Sequence, residues 1–453
     1  MYNKRVKEKI HFVGIGGIGM SGLARYFKAA GYAVSGSDAM ESDITRALRK
    51  DAINVKIGQK RANIARDMAF LIYNRAIPAD NPELLAAGKL GVPAIPYAQV
   101  LGAITGEYDT IAITGSHGKS TTTALAGLAL AKGGLDPTVL VGTNLKEFGG
   151  KNFRRGKSPW LVLEADDFGA AFLHYSPLIS IVTNVDREHL DFYKTFAGVK
   201  RAFLAFMART REGGTLILNR DDAPLWSLRK QIAAIAKQKD LTVVWYSTIK
   251  KLRSTMKIPG EHNLSNAAAV LALGRSLKIP KAKILTALGS YRGAWRRMEY
   301  RGEFSIFNFQ FSISVYDDYA HHPTEIRATL KAFKEKFPRS PLICVFQPHQ
   351  AKRLAALFRE FISSFADADA LILLPFYRVA GRDAADRRYT SETLAAAIRR
   401  RYPKKKIYYL ANPRQLKMFI KNNLISGMDA SLRPVIVMMG AGDIVKYTAG
   451  LVK

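Results

Sequence analysis

The chain of 453 residues has a single cysteine, Cys344, and few acidic residues: 37 against 69 lysines and arginines. One thiol excludes an internal disulfide framework and suits a reducing compartment, so a cytoplasmic location is expected. Long apolar runs are lacking too. None approaches the roughly eighteen uninterrupted apolar residues of a membrane-spanning helix, and no membrane partner is expected. The basic residues ahead of Ile10–Val13 give the outline of a secretion signal, but glycines break the apolar stretch at Gly14. Strand followed by loop is the better reading. Repeat arrays and low-complexity segments are missing as well.

The shortage of acids leaves a formal net charge of +32. The excess is spread along the chain, with short clusters at Arg387-Arg388, Arg399-Arg400-Arg401 and Lys404-Lys405-Lys406. Nucleic-acid binding is the sharp reading of such basicity. No basic run alternates with aromatics in the manner of a stacking platform, however, so no stable nucleic-acid partner is expected. Polyanionic small substrates and a generally basic host account for the charge instead. The length exceeds one core, and 48% hydrophobic residues in alternating strand and helix patterns indicate an α/β protein of two or three domains.

What is present is chemistry for holding phosphate. Ile111, Ile113 and Thr114 read as a buried strand that stops at Gly115 and passes through Ser116, His117 and Gly118. It continues as Lys119-Ser120-Thr121 into an apolar helical pattern at Ala124, Leu125, Leu128 and Leu130. Strand, glycine loop and helix are the setting of a triphosphate cradle, with Lys119 as the cation and the Ser120 hydroxyl placed for Mg²⁺. The loop is shorter than the usual G-x-x-x-x-G-K-[ST] form.

A second glycine loop opens the chain. The strand Ile10–Val13 leads into Gly14, Gly16, Gly17 and Gly19, a helix over Met20–Ala30 and a strand over Tyr32–Gly36 that ends at Ser37-Asp38. Such a βαβ unit with an acid in register suits a nucleotide, either NAD(P) or UDP attached to a sugar. A strand over Ala69–Tyr73 and the loop Asn74–Pro82 complete the crevice, and Gly102–Glu107 reads as a linker. Further strands are expected over Trp160–Glu164, Leu178–Asn184, Thr215–Asn219, Leu342–Gln347, Ala370–Pro375 and Val435–Met439. Helices are expected over Ala267–Leu277, Arg353–Phe365 and Thr390–Tyr402.

Polar groups gather where these strands end. Glu164-Ala165-Asp166-Asp167 follows one strand and Asn184–Asp191, with His189, follows the next, which favours a metal and substrate site beside the triphosphate. His321-His322 after Asp317-Asp318 lack the spacing of a zinc site and suit recognition of substrate or nucleotide. Arg296-Arg297 could clamp phosphate.

Taken in order, GIGGIGMSG with SGSD, TGSHGKSTTT, EADD, NVDREHLD, PGEHNLSN, RRME, DDYAHHPTEI, FQPH and GAGD resemble the Mur ligases, the ATP-dependent amide-bond ligases of peptidoglycan precursor synthesis. The resemblance covers almost the whole chain. It implies an α/β protein of three domains: a Rossmann-like N-terminal domain over 1–107 for the UDP-sugar, a central P-loop ATPase-like domain with a mainly parallel sheet over 108–289, and a C-terminal Rossmann-like α/β domain over 290–453. The implied reaction joins L-alanine to the lactyl carboxylate of UDP-N-acetylmuramate through an acyl phosphate. Alternatives are a related member adding another amino acid or a recycled peptide, and a basic P-loop ATPase acting on nucleic acid. A dehydrogenase would leave Lys119, Ser120 and Glu164 without a role.

By resemblance, Gly14, Gly16, Gly17, Gly19, Ser37 and Asp38 hold the UDP part. Gly115, Ser116, His117, Gly118, Lys119, Ser120 and Thr121 hold ATP phosphates, and Ser120, Glu164 and His189 hold Mg²⁺. Asn263, Asn266, Arg297 and Asp318 contact the nucleotide, while His349 and Arg353 recognise the amino acid. Lys119, Glu164 and His189 are the implied catalytic residues. A monomer or homodimer is expected.

The chain also departs from the family pattern. Asp167-Phe168-Gly169 and Tyr73–Ile77 differ from the usual wording, Gln350 replaces an arginine, and extra central-domain strands before Pro259 are missing. Phe203 stands where some members carry a carbamylated lysine, with Lys200 as an outside candidate.

Overall fold

The computed structural model describes residues 8–304, 313–377, 388–425 and 432–452. Arg387 of the basic clusters lies outside them. The chain divides into two compact units, one of Met1–Arg187, Phe196–Thr248 and Ser265–Tyr291 and the other of Glu188–Thr195, Ile249–Leu264 and Arg292–Lys453.

The first unit carries two sheets. One has five parallel strands, β1 (Lys9–Val13), β2 (Ala33–Asp38), β3 (Asn54–Ile57), β4 (Met68–Tyr73) and β5 (Ala94–Pro96), in the order β3-β2-β1-β4-β5. The order reverses at β1, so the loop after it, Gly14–Gly17, lies at the crevice of a doubly wound sheet. The other sheet has seven strands: β6 (Asp109–Thr114), β7 (Thr138–Leu145), β8 (Lys151–Arg154), β9 (Trp160–Glu164), β10 (Ile179–Val182), β11 (Thr215–Asn219) and β12 (Thr242–Tyr246). Their order is β12-β11-β10-β6-β9-β7-β8, parallel apart from the β7–β8 pair. The carboxyl ends of β10, β6 and β9 are therefore neighbours: the short glycine loop follows β6, Glu164 closes β9, and Asn184 lies two residues past β10.

The two sheets are tied together by buried polar groups. Asn152, on β8, is fully buried, accepts from the Arg25 guanidinium (2.5 Å) and donates to Ile18 O (2.5 Å) and Ser21 Oγ (3.1 Å) in the helix Ile18–Ala29. Asp51 then joins Arg25 (2.7 Å) to Lys151 (2.6 Å). Gly102–Glu107 is no linker: it is the latter part of the helix Tyr97–Glu107. A Cβ at Gly102 would stand 2.6 Å from His174 O, so a residue without a side chain is what lets this helix lie against the segment after β9.

The second unit holds six strands, β13 (Glu299–Phe304), β14 (Ile313–Asp318), β15 (Leu342–Phe346), β16 (Ala370–Leu373), β17 (Lys406–Tyr409) and β18 (Val435–Met439), in the order β13-β14-β18-β15-β16-β17. All pairs are parallel except β13–β14. Alternation along β15 explains its unbroken apolar run. Leu342, Cys344 and Phe346 enter one core with Leu330, Phe333 and Val437, while Ile343 and Val345 enter another with Ile372 and Met438. A sheet covered on both faces needs apolar residues at every position. Cys344 is fully buried there, and burial pushes its thiol pKa up.

Several boundaries differ from the sequence expectation. The helix expected at Ala267 begins at Glu261, and Arg353–Phe365 is two helices, Ala351–Ala356 and Phe358–Ser364. Between β12 and Glu261 lies only the short 3₁₀ turn Lys250–Ser254, consistent with the shortened central segment.

Candidate phosphate and metal site

The short loop after β6 depends on its glycines. Gly115 has φ +142° and Gly118 φ +81°, in the region that L side chains avoid. A Cβ would stand 2.0 Å from Thr183 Oγ1 at the first and 2.5 Å from Asn266 Oδ1 at the second. Residues after β10 hold the loop from beneath. The Ser116 N–H donates to Asn184 O (3.1 Å), the His117 N–H to Asn184 Oδ1 (2.8 Å), and Asn184 Nδ2 to His117 O (2.9 Å). The Asp186 N–H donates to Ser116 Oγ (2.8 Å), and the His117 ring shares a hydrogen bond with Asp186 Oδ2 (3.0 Å). A rigid loop thus delivers the chain into the helix Lys119–Gly133, whose first turn, with Ser120 and Thr121, contains no acid. Its leading N–H groups and positive dipole end suit an anion.

Lys119 folds back over this loop. Its Nζ donates to Gly115 O (2.7 Å), Ser116 O (3.2 Å) and Asp167 Oδ1 (2.7 Å). Burial disfavours the ammonium, but Asp167, Asp166 and Glu164 prevail and hold its pKa above the ordinary lysine value. The sequence places Asp167 among the acids after β9 and marks it as a departure from the family pattern, but gives no sign that it is the partner of Lys119. The carboxylate is fully buried and fixes the lysine's position and charge.

Glu164 accepts from Ser120 Oγ (2.9 Å) and from the Gly142 N–H (2.6 Å). Burial pushes its pKa up, while the Gly142 N–H, Lys119 and Ser120 pull it back. Glycine at 142 leaves room for this approach, since a Cβ would lie 2.7 Å from Glu164 Oε1. Hydroxyl and carboxylate oxygens side by side, next to a phosphate-binding loop, are the donor set a hard cation such as Mg²⁺ takes.

The first glycine loop is braced in the same way. Gly14 has φ +79°, and Ser37 O accepts the Gly14 and Ile15 N–H groups, both at 2.9 Å. Asp38 Oδ2 accepts the Gly16 N–H (2.8 Å), and a Cβ on Gly16 would sit 2.7 Å from that oxygen. Gly17 donates back to Gly14 O (3.2 Å), closing the turn ahead of the helix that contains Gly19. The Ser37 hydroxyl turns inward to Glu83 Oε2 (2.5 Å), and the fully buried Glu83 also accepts from Asn63 (2.5 Å). Ser37 serves the loop through its carbonyl, since its side chain is buried.

The second unit carries the remaining candidates. His189 has φ +54° at the start of the short helix Leu190–Tyr193, and its N–H donates to Glu188 Oε2 (3.3 Å). The same oxygen accepts from Arg353 Nη2 (3.1 Å) in a buried pair. Burial raises the Glu188 pKa, yet Arg353 and nearby histidines hold it well below the ordinary range. His349 stacks on Tyr377 at 5.6 Å, and Asn263 Nδ2 donates to Pro259 O (2.6 Å). Asp318 accepts the Met298 and Ala320 N–H groups, both at 2.8 Å, and burial pushes its pKa up. Arg297 lies over the Tyr319 ring at 5.2 Å and 3.8 Å from Glu325. Arg296 does not join it as a phosphate clamp: it is buried and donates to Gly440 O and Gly442 O.

The chain matches three family models in succession: the Mur ligase family catalytic domain over residues 9–109, the Mur ligase middle domain over 113–274, and the Mur ligase glutamate ligase domain over 296–442. The chain belongs to the Mur ligase family. Two relatives named UDP-N-acetylmuramate–L-alanine ligase, from Geotalea uraniireducens and Desulfotalea psychrophila, are 37% and 36% identical, each over 98% of this chain and 97% of their own length. Among solved structures, UDP-N-acetylmuramate-alanine ligase MurC of Thermotoga maritima is 27% identical with a TM-score of 0.76, covering 98% of both chains. A murein peptide ligase of Psychrobacter arcticus shares the fold at 20% identity and a TM-score of 0.70, again over 98% of both.

In this Mur ligase, Phe203 is fully buried, edge-on to Phe172 at 5.4 Å. Lys200 turns to Ser227 Oγ (3.3 Å) and over the Phe196 ring (4.9 Å). An aromatic cluster of Phe172, Phe203 and Phe206 therefore fills this position.

Proposed function

We propose that the chain is an ATP-dependent ligase that joins L-alanine to the lactyl carboxylate of UDP-N-acetylmuramate through an acyl phosphate, releasing ADP and phosphate, in cytoplasmic synthesis of peptidoglycan precursors. The observation that carries this reading is the geometry around Lys119, whose ammonium is held by Gly115 O, Ser116 O and Asp167 over a glycine loop that opens a helix. The names of relatives that match end to end support the substrates.

A carboxylate acylates amines poorly, and ATP with Mg²⁺ supplies the phosphoryl group and charge neutralisation that activate it. The chain's own part is positioning. Loop N–H groups and Lys119 orient phosphate oxygens, while Ser120, Glu164 and His189 would hold the cation. The loop at Gly14–Gly19 carries the UDP part, and Asn263, Asn266, Arg297 and Asp318 contact the nucleotide. The Arg353 guanidinium, fixed by Glu188, offers its remaining N–H groups to the amino acid's carboxylate beside His349. Gln350 in place of the usual arginine favours a second reading, in which another amino acid or a peptide is the acceptor.

Phosphate release from ATP tests both. It should require UDP-N-acetylmuramate together with an amino acid, and a panel of L-alanine, L-serine, glycine and a tripeptide ranks the acceptors. Release independent of the nucleotide-sugar rejects the proposal.

A further inference from the structure

We propose that the Tyr97 phenol, backed by Tyr175, is a positioning group that donates a hydrogen bond to the lactyl carboxylate of the nucleotide-sugar. The inference rests on the function proposed above and adds a residue that no motif marks.

Tyr97 is the first residue of the helix Tyr97–Glu107, directly after β5. Its side chain reaches the opening turn of the helix that follows the first glycine loop, where a Cβ on Gly19 would stand 2.7 Å from Tyr97 Oη. The same helix lies along the segment that follows the acids of β9. Gly102 touches the His174 backbone, and the Ser176 N–H donates to Thr105 Oγ1 (3.0 Å). Tyr97 therefore stands against the helix of the first glycine loop, at the head of a helix whose later turns pack on the segment that follows β9. Burial, then the charges of Asp166 and Glu164, raise its pKa above that of ordinary tyrosine.

Tyr175 is fully buried, and its hydroxyl has no hydrogen-bond partner among the described residues. Burial, then Tyr97, Asp166 and Glu164, push its pKa well up. Both phenols thus keep their protons, and both feel the charges of Asp166 and Glu164. A nucleotide-sugar with its diphosphate on Gly14–Gly19 has to carry its carboxylate towards the phosphate held by Lys119. The sugar and its lactyl group span the interval that Tyr97 occupies. A neutral O–H donor there orients an anion without adding negative charge beside Glu164 and Asp166.

The test separates the lactyl end from the nucleotide. Calorimetry measures the binding of UDP and of UDP-N-acetylmuramate to the wild type and to Tyr97→Phe, and initial rates give KM for each substrate. One hydrogen bond to a charged acceptor is worth about tenfold or more. We expect Tyr97→Phe to lose that factor in affinity for UDP-N-acetylmuramate while UDP binding and the KM for ATP stay within twofold. Tyr175→Phe should act in the same direction by a smaller factor. Equal losses for UDP and UDP-N-acetylmuramate, or none for either, overturn the inference while leaving the proposed function standing. A wild type that binds UDP-N-acetylmuramate no better than UDP and releases no phosphate with it overturns both.

Discussion

The pair Lys119–Asp167 offers the sharpest test of how the loop is built. The Asp167 side chain is fully buried, that of Lys119 is 15% exposed, and they meet at 2.7 Å. Asp167→Asn removes the charge at nearly constant volume. Stripping one member of a buried pair costs about 3–5 kcal/mol, because the other charge stays behind. Here Asp166 and Glu164 still act on the ammonium and some solvent reaches it, which brings the expected loss to about 2–3 kcal/mol. Lys119→Met leaves a buried carboxylate uncompensated and should cost as much. In the double variant neither charge remains, so the two losses should fail to add by about 2–3 kcal/mol.

Thermal unfolding reads the effect. At about 2–4 °C per kcal/mol for a unit of this size, each single variant should melt roughly 4–12 °C lower, with the double variant close to either single one. The pH dependence has a definite sign. A lysine whose folded pKa is raised contributes stability that is fully present below its unfolded pKa and is lost only as pH rises through the higher folded value. The penalty of Asp167→Asn should therefore be constant from pH 6 to about 9. Losses that add within about 0.5 kcal/mol would refute the coupling, whatever their size.

Two further outcomes follow from the same region. Gly118→Ala forces a side chain into φ +81° and against Asn266 Oδ1, costing about 1–2 kcal/mol in conformation alone. It should abolish binding of a non-hydrolysable ATP analogue in calorimetry, and affinity within threefold of wild type would show that the loop tolerates a Cβ. Asp222 accepts the Leu225 N–H (2.9 Å) and Val185 N–H (3.2 Å), and burial pushes its pKa up to about 6. The folded protein then keeps a proton that the unfolded chain releases near pH 3.9, so stability falls as pH rises between about 4 and 6. Asp222→Asn keeps an acceptor oxygen and removes this slope. Relative to wild type, its stability should rise by about 1–3 kcal/mol from pH 4 to pH 7, and an unchanged difference in melting temperature would contradict the assignment.

The backbone chemistry of the site was legible because it is local. A β-branched run that ends in glycine and resumes as Lys119-Ser120 carries its strand, loop and helix within a few residues, and β6 with the helix Lys119–Gly133 matches that reading. What local pattern does not carry is the choice of partner. Asp167 reaches Lys119 across 48 positions, and Asn152 reaches the helix of the first glycine loop across more than a hundred. The same limit explains two misreadings. Gly102 looked like linker punctuation because its reason, the His174 backbone, comes from another strand's end. Arg296 looked like the twin of Arg297, yet the positive φ at Arg296 and the carbonyls of Gly440 and Gly442 draw it inward. Ser37 and Asp38 divide in the same manner, since successive strand residues face opposite sides. One is turned to a buried glutamate, and the other faces the glycine loop. Adjacent residues of like chemistry should therefore be assigned by the face they occupy before a shared role is given to both.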